Sequence, residues 1–259
     1  MGRRGATRGP LLAQLRTGLG PEDEAFLERA LDDRRQEVRA AAADLLARLP
    51  GSGLRARMAE RARSLLRVTR GLRSRLEPQL PEALDVAAAR DLVSTRPPRG
   101  TGERAWWLRQ IVAATPLQVW ERELGQDPAE LVAMPVRDNL RELLHDAWAL
   151  AAARQGATAW ADALLPATWA PQLVESLPPD VVERRLLSAL RDGRADVAMA
   201  ALRRPYGLEL SRELVRRRVL DRDLALALDP RVLDELPDDA PPRVARLLAF
   251  RADLRQELA

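Results

Sequence analysis

The chain has 259 residues, of which 46% are hydrophobic, 31% charged and only 3% aromatic, a balance too apolar for disorder and too charged for a membrane protein. It holds one histidine and no cysteine, and all 42 of its basic residues are arginine, so disulfides, thiolate metal sites, thiol nucleophiles, lysine Schiff bases and P-loop lysines are excluded. The net charge is a modest +4, β-branched runs are scarce, and the Leu/Ala/Arg/Glu bias favours helix throughout.

The apolar stretch around Leu11–Leu15 is too short and interrupted for a signal peptide, and no run approaches the ~20 residues of a membrane span. The expected compartment is the cytoplasm. The first predicted helices cover 11–18, 22–31 and 34–48. Val38, Ala42, Leu45 and Leu49 recur at i, i+4, i+7 and i+11 on the last of these, facing Leu27 and Leu31 of its neighbour. Asp33 and Gln36 have the spacing of a capping box, and Pro50-Gly51 closes the unit. Such an antiparallel pair cannot bury its apolar face alone and must stack on neighbours.

A helix is predicted over 54–70. The segment from Leu54 to Leu76 carries Arg55, Arg57, Arg61, Arg63, Arg67, Arg70, Arg73 and Arg75 against a single acid, Glu60. A stripe of Leu54, Met58, Leu65, Leu72 and Leu76 would leave these arginines on the other faces. They read either as a solvated face or as a surface for a polyanionic partner. Residues 77–102, with Pro78, Pro81, Pro97 and Pro98, form an irregular connection within an array otherwise divided into 1–76 and 103–259.

Helices follow at 83–93, 103–114, 116–124, 128–134, 136–154, 158–164, 180–191, 195–203, 210–219, 222–228 and 242–257. Asp127-Pro128-Ala129-Glu130 is a start signal, Gly125 and Gly156 stand where C-caps belong, and Leu165-Pro166 reads as a stop. On 103–114, Trp107 shares the core face with Ile111 and Ala114. Trp106 falls beside Arg109, at the edge of that core or outside it.

Asp33, Val38 and Arg39 stand where HEAT repeats place an Asp, a Val and an Arg, so the 21–50 pair resembles a HEAT unit. The expected fold is all-α, a HEAT-like solenoid of antiparallel helix pairs. Three further stretches, Asp23–Arg34, Leu45–Ser52 and Gly100–Leu108 with Ala113–Leu117, are similar to an uncharacterised bacterial family of actinobacterial type with HEAT-like helices. The resemblance implies that this chain matches the family's C-terminal half. Its members are encoded near AAA-type ATPases and von Willebrand A-domain proteins, which implies a protein partner of one of those kinds. It carries no activity onto any residue.

No catalytic, metal or cofactor residues are assigned. His145, the one histidine, sits mid-helix beside Asp146 with no nucleophile elbow or zinc signature nearby, and reads as a surface or half-buried structural residue. Arg99-Gly100-Thr101-Gly102-Glu103-Arg104 opens a helix but follows no strand and is a loop and cap. The candidate partner-binding residues are therefore the eight arginines Arg55–Arg75 with Trp106 and Arg109. The expected function is a non-catalytic scaffold for another protein. The alternative is nucleic-acid binding through the basic segment, including a base-excision-like chemistry for which Trp106, Trp107 and Glu103 are the only local set.

Overall fold

The computed structural model describes residues 15–69, 74–92, 94, 96–193, 207–218 and 227–257. It is mostly helical, with one two-stranded sheet among the described residues. Two compact units divide at Thr168 and Trp169, so the irregular 77–102 stretch lies inside the first unit.

The first unit opens with α1 (Glu24–Ala30) and α2 (Gln36–Arg48), which pack on one another across a short turn. Leu27, Leu31, Val38, Ala42, Leu45 and Leu49 are all buried, as their spacing predicts. The expected Asp33–Gln36 capping box does not form. Asp33 instead accepts from the Arg35 backbone N–H at 2.8 Å, and its own carbonyl accepts from Arg39 at 2.9 Å. The short carboxylate closes a local turn two residues on, which competes with the cap.

The next helix, α3 (Gly53–Ala62), is capped by Ser52, whose buried hydroxyl accepts from the Arg55 N–H and donates to the Leu46 carbonyl. The Gly53 N–H donates to Glu24 of α1. Helix does not extend to residue 70. Leu54, Met58 and Ala62 complete the buried stripe at i, i+4, i+8, and the period then changes. β1 (Leu66–Thr69) pairs antiparallel with β2 (Arg75–Pro78), Leu66 opposite Pro78 and Val68 opposite Leu76. Alternating burial on Leu-Arg-Val-Thr, with its two β-branched residues, outweighs the i+7 leucine spacing. The Leu76 N–H donates to the Pro135 carbonyl at 2.8 Å, tying the hairpin to the chain ahead of α8.

After α4 (Val86–Asp91) come α5 (Glu103–Ala114), α6 (Leu117–Leu124), α7 (Pro128–Ala133), α8 (Arg141–Gln155) and α9 (Thr158–Thr168). Asp127 and Glu130 make the predicted capping box on α7. Pro166 does not stop α9, which continues through it to Thr168. The middle of the unit is α8, which packs against α2, α5, α6 and α9. From Ala147 to Ala152 only Leu150 is not buried. Burial all round, on small side chains, is what a helix enclosed by neighbours requires. Trp148 and Trp160 meet there with ring centroids 5.2 Å apart, and the Trp160 indole donates to Glu121 at 2.7 Å.

The second unit contains α10 (Pro171–Ser176), unpredicted, then α11 (Pro179–Arg191), α12 (Leu208–Arg216), a 3-10 helix over Pro230–Glu235 and α13 (Pro242–Glu257). The 3-10 helix packs on both α12 and α13. Asp229 fastens that junction. Its carboxylate accepts from the Arg231 backbone and side chain and from Arg255, while its N–H donates to the Ser211 hydroxyl. The expected helix 195–203 and most of 222–228 lie outside the described residues. Among the described residues no helix is long and apolar enough to cross a membrane.

Candidate functional site

The basic face of α3 is largely answered from other helices. Arg57 donates through Nε and Nη2 to both oxygens of Asp91, each at 2.8 Å, and through Nη2 to Glu28 at 3.0 Å. Arg61 reaches Asp91 at 2.7 Å. Arg90, next in sequence to Asp91, binds Asp32 at 2.7 Å and Glu28 at 3.2 Å. The result is a closed network joining α1, α3 and α4. Burial alone would raise the Asp91 carboxyl, but hydrogen bonds from Arg57 and Arg61 outweigh it and hold the group below the usual aspartate range.

Arg55 is buried and, among the described residues, meets no carboxylate and has no partner for its Nε. Its Nη2 donates to Gln155 Oε1 at 3.1 Å, and burial lowers its affinity for the proton. Gln155, the last residue of α8, is a junction. Its Oε1 also accepts from the Leu117 N–H at the start of α6, and its Nε2 donates to the Thr115 carbonyl at 2.9 Å. Arg63 lies exposed between Glu60 and Glu123. Arg67 and Arg75 are exposed on the hairpin. Arg70 and Arg73 lie outside the described residues.

Beside this network is a recess of about 230 Å³, walled by Asp44, Asp91, Trp106, Arg109, Gln110 and Arg154. Met58 and Leu150 contribute apolar surface to it. Asp44 is held by Arg48 and Arg154, each at 2.9 Å. Burial would raise this carboxyl too, but Arg154 and Arg48 hold it below the usual range. Arg154 also donates to the Ala113 carbonyl at 3.0 Å, and burial lowers its proton affinity. Both carboxylates of the recess are thus neutralised within the fold.

Arg109 differs. Its guanidinium lies 5.4 Å from the centroid of the Trp106 ring. Among the described residues it has no ion pair or hydrogen bond. The Trp106 ring is fixed in turn, its indole N–H donating to the Ser94 carbonyl at 2.9 Å, which also accepts from Gln110 at 2.6 Å. Trp106, Arg109 and Gln110 are at i, i+3 and i+4 of α5, so one helix face presents all three.

The structure therefore brings Trp106 and Arg109 together at the recess, as their spacing suggests, and places Arg57 and Arg61 behind it on Asp91. Asp44, Asp91, Gln110 and Arg154 were not singled out from sequence. The i, i+4 spacing of Asp44 and Arg48 is a local signal that could have marked one of their bonds. Glu103 is exposed and is not part of the recess lining. His145 is buried rather than superficial. It stacks on Trp148 at 6.2 Å, and burial together with Arg141 pushes its pKa down against the Val132 backbone bond. Among the described residues no group of three or more His, Asp or Glu side chains is placed to hold a metal ion.

The profile of DUF5691, a family of unknown function, matches residues 2–258. The chain belongs to that family. No curated protein and no solved structure matches it.

Proposed function

We propose that this DUF5691 chain is a non-catalytic helical-repeat scaffold that binds another protein within a multi-protein assembly. The packing of consecutive helices α1 on α2, α2 on α3 and α8 on α9 supports a repeat of helix pairs. The observation that carries the reading is Arg109. A guanidinium over a fixed tryptophan in the wall of a recess, with no ion pair or hydrogen bond among the described residues, is the Trp–Arg combination enriched where interfaces concentrate their energy. An AAA-type ATPase or a von Willebrand A-domain protein is the partner class implied by the family resemblance. The test is reconstitution. Proteins retained from the native host are purified and mixed with the chain, and the complex is weighed by light scattering. A defined complex that Trp106→Ala abolishes is expected. No complex with any retained protein would overturn the reading.

A second reading, nucleic-acid binding, has the hairpin as its support. Arg67 sits opposite Glu77 and Arg75 opposite Thr69, and both arginines are exposed. It draws less support from α3, whose arginines are committed. Absence of retention on DNA or RNA at ~50 mM salt, where counterion release is strongly favourable, ends it.

A further inference from the structure

The recess is small. Sites for drug-sized ligands and cofactors typically run ~300–1,000 Å³, and this one is about 230 Å³. That volume suits one side chain better than a nucleotide or an organic cofactor. Its walls then decide which side chain. An inserted ammonium or guanidinium group would find no unanswered carboxylate, since Asp91 already accepts from Arg57, Arg61 and Arg90, and Asp44 from Arg48 and Arg154. A purely apolar side chain would cover Met58 and Leu150 but desolvate Arg109 without pairing it, which costs free energy. A carboxylate answers Arg109 and lays its methylenes on the apolar wall.

We infer that the recess receives one carboxylate, the acidic side chain of an anchor residue on the partner protein, with Arg109 as its receptor. This rests on the scaffold reading above. Arg109 sits over the Trp106 ring, 5.4 Å from its centroid, so the guanidinium is drawn to this side of the recess before the ligand arrives. A fork meets a carboxylate through two parallel hydrogen bonds. Charge also separates carboxylate from phosphate. A phosphate monoester brings nearly two negative charges, whereas Arg154, the other cation of the wall, already serves Asp44 and the Ala113 carbonyl. One uncommitted cation matches one negative charge. Gln110 Nε2 is bound to Ser94, which leaves its amide oxygen to accept from the backbone or amide N–H of the incoming segment.

The experiment uses the full chain with 15N-labelled tryptophan. The Trp106 indole signal is assigned by its loss in Trp106→Phe. The probes are a blocked Gly-Glu-Gly peptide, the same peptide with Gln for Glu, glutarate and inorganic phosphate. The inference expects a saturable shift of the Trp106 signal with the Glu peptide. Binding should be about tenfold weaker or worse with the Gln peptide and in Arg109→Gln, because one half of a charged pair is removed. Arg109→Lys should not restore it, because the planar fork is lost. Arg122→Gln, on the exposed face of α6, should leave it unchanged. Circular dichroism and melting curves confirm that each variant is folded. Equal binding of the Gln peptide, tighter binding of phosphate, binding of glutarate with exclusion of the peptide, or full binding by Arg109→Gln would each overturn the inference. If the peptide fails while a Trp106-dependent protein complex still forms, the acidic anchor is wrong and the scaffold stands. If the peptide binds as expected but no complex forms, the scaffold reading falls and the chemistry of the recess remains.

Discussion

α3 and α5 each carry arginine toward the same part of the first unit, and they differ in what those arginines meet. On α3, Arg57 and Arg61 converge on Asp91, and Arg55 is buried against Gln155. On α5, Arg109 meets the face of Trp106 and has no ion pair or hydrogen bond among the described residues. The helix with the stronger local charge imbalance is thus the one whose charge is already answered, by acids 29 to 34 residues away in the chain. An excess of one sign within a segment measures sequence neighbours. Availability to a partner is settled by neighbours in space.

That contrast is open to attack, beginning with its strongest side. Asp91→Ala should cost on the order of 3–5 kcal/mol in urea unfolding, since it strands guanidiniums around a buried site. The same variant should flatten the acid limb of stability. Asp91 and Asp44 have depressed carboxyl pKa values in the fold, so their contribution is present at neutral pH. It is lost as pH falls below the ordinary 3.8 and through the depressed values, where the unfolded chain binds protons more readily. An acid limb in Asp91→Ala as steep as in wild type would remove the network from the account.

Gln155→Ala should cost about 1–3 kcal/mol, because Arg55 is left buried with no partner and the Leu117 N–H and Thr115 carbonyl lose theirs. His145→Phe should remove a shallower dependence. Its lowered pKa means that stability declines once pH drops below the ordinary 6.5, as the unfolded imidazole charges first. Arg109→Gln closes the series, with a change within about 0.5 kcal/mol, as for a side chain with no polar partner among the described residues. A large destabilisation there would erase the distinction between the two helices.

Much of the fold was legible because local signals agreed with tertiary ones. The helix 103–114 and the helix 242–257 begin and end where predicted, and the α1/α2 core follows the 3.6-residue stripe. The hairpin was missed because leucines spaced by seven imitate a helix, while the deciding alternation at 66–69 covers only four residues. α10 was missed because its six residues between Ala170 and Leu177 are too few to show a period. At the candidate site, the pairing of Trp106 with Arg109 is an i, i+3 relation and could be read directly. Its importance could not, because it depends on Asp44 being bound by Arg154, 110 residues later.

Gln155 gives the first unit a junction of a different kind from Asp91. An amide carries no titratable proton, so the contacts it makes among α3, α6 and α8 do not weaken as acid is added. α4 is six residues long and is held largely through carboxylates that do. As pH falls below the ordinary carboxylate range, α4 should therefore open before the helices joined through Gln155. Amide hydrogens of α4 should exchange through local opening while those of α5 and α8 stay protected until the whole unit unfolds.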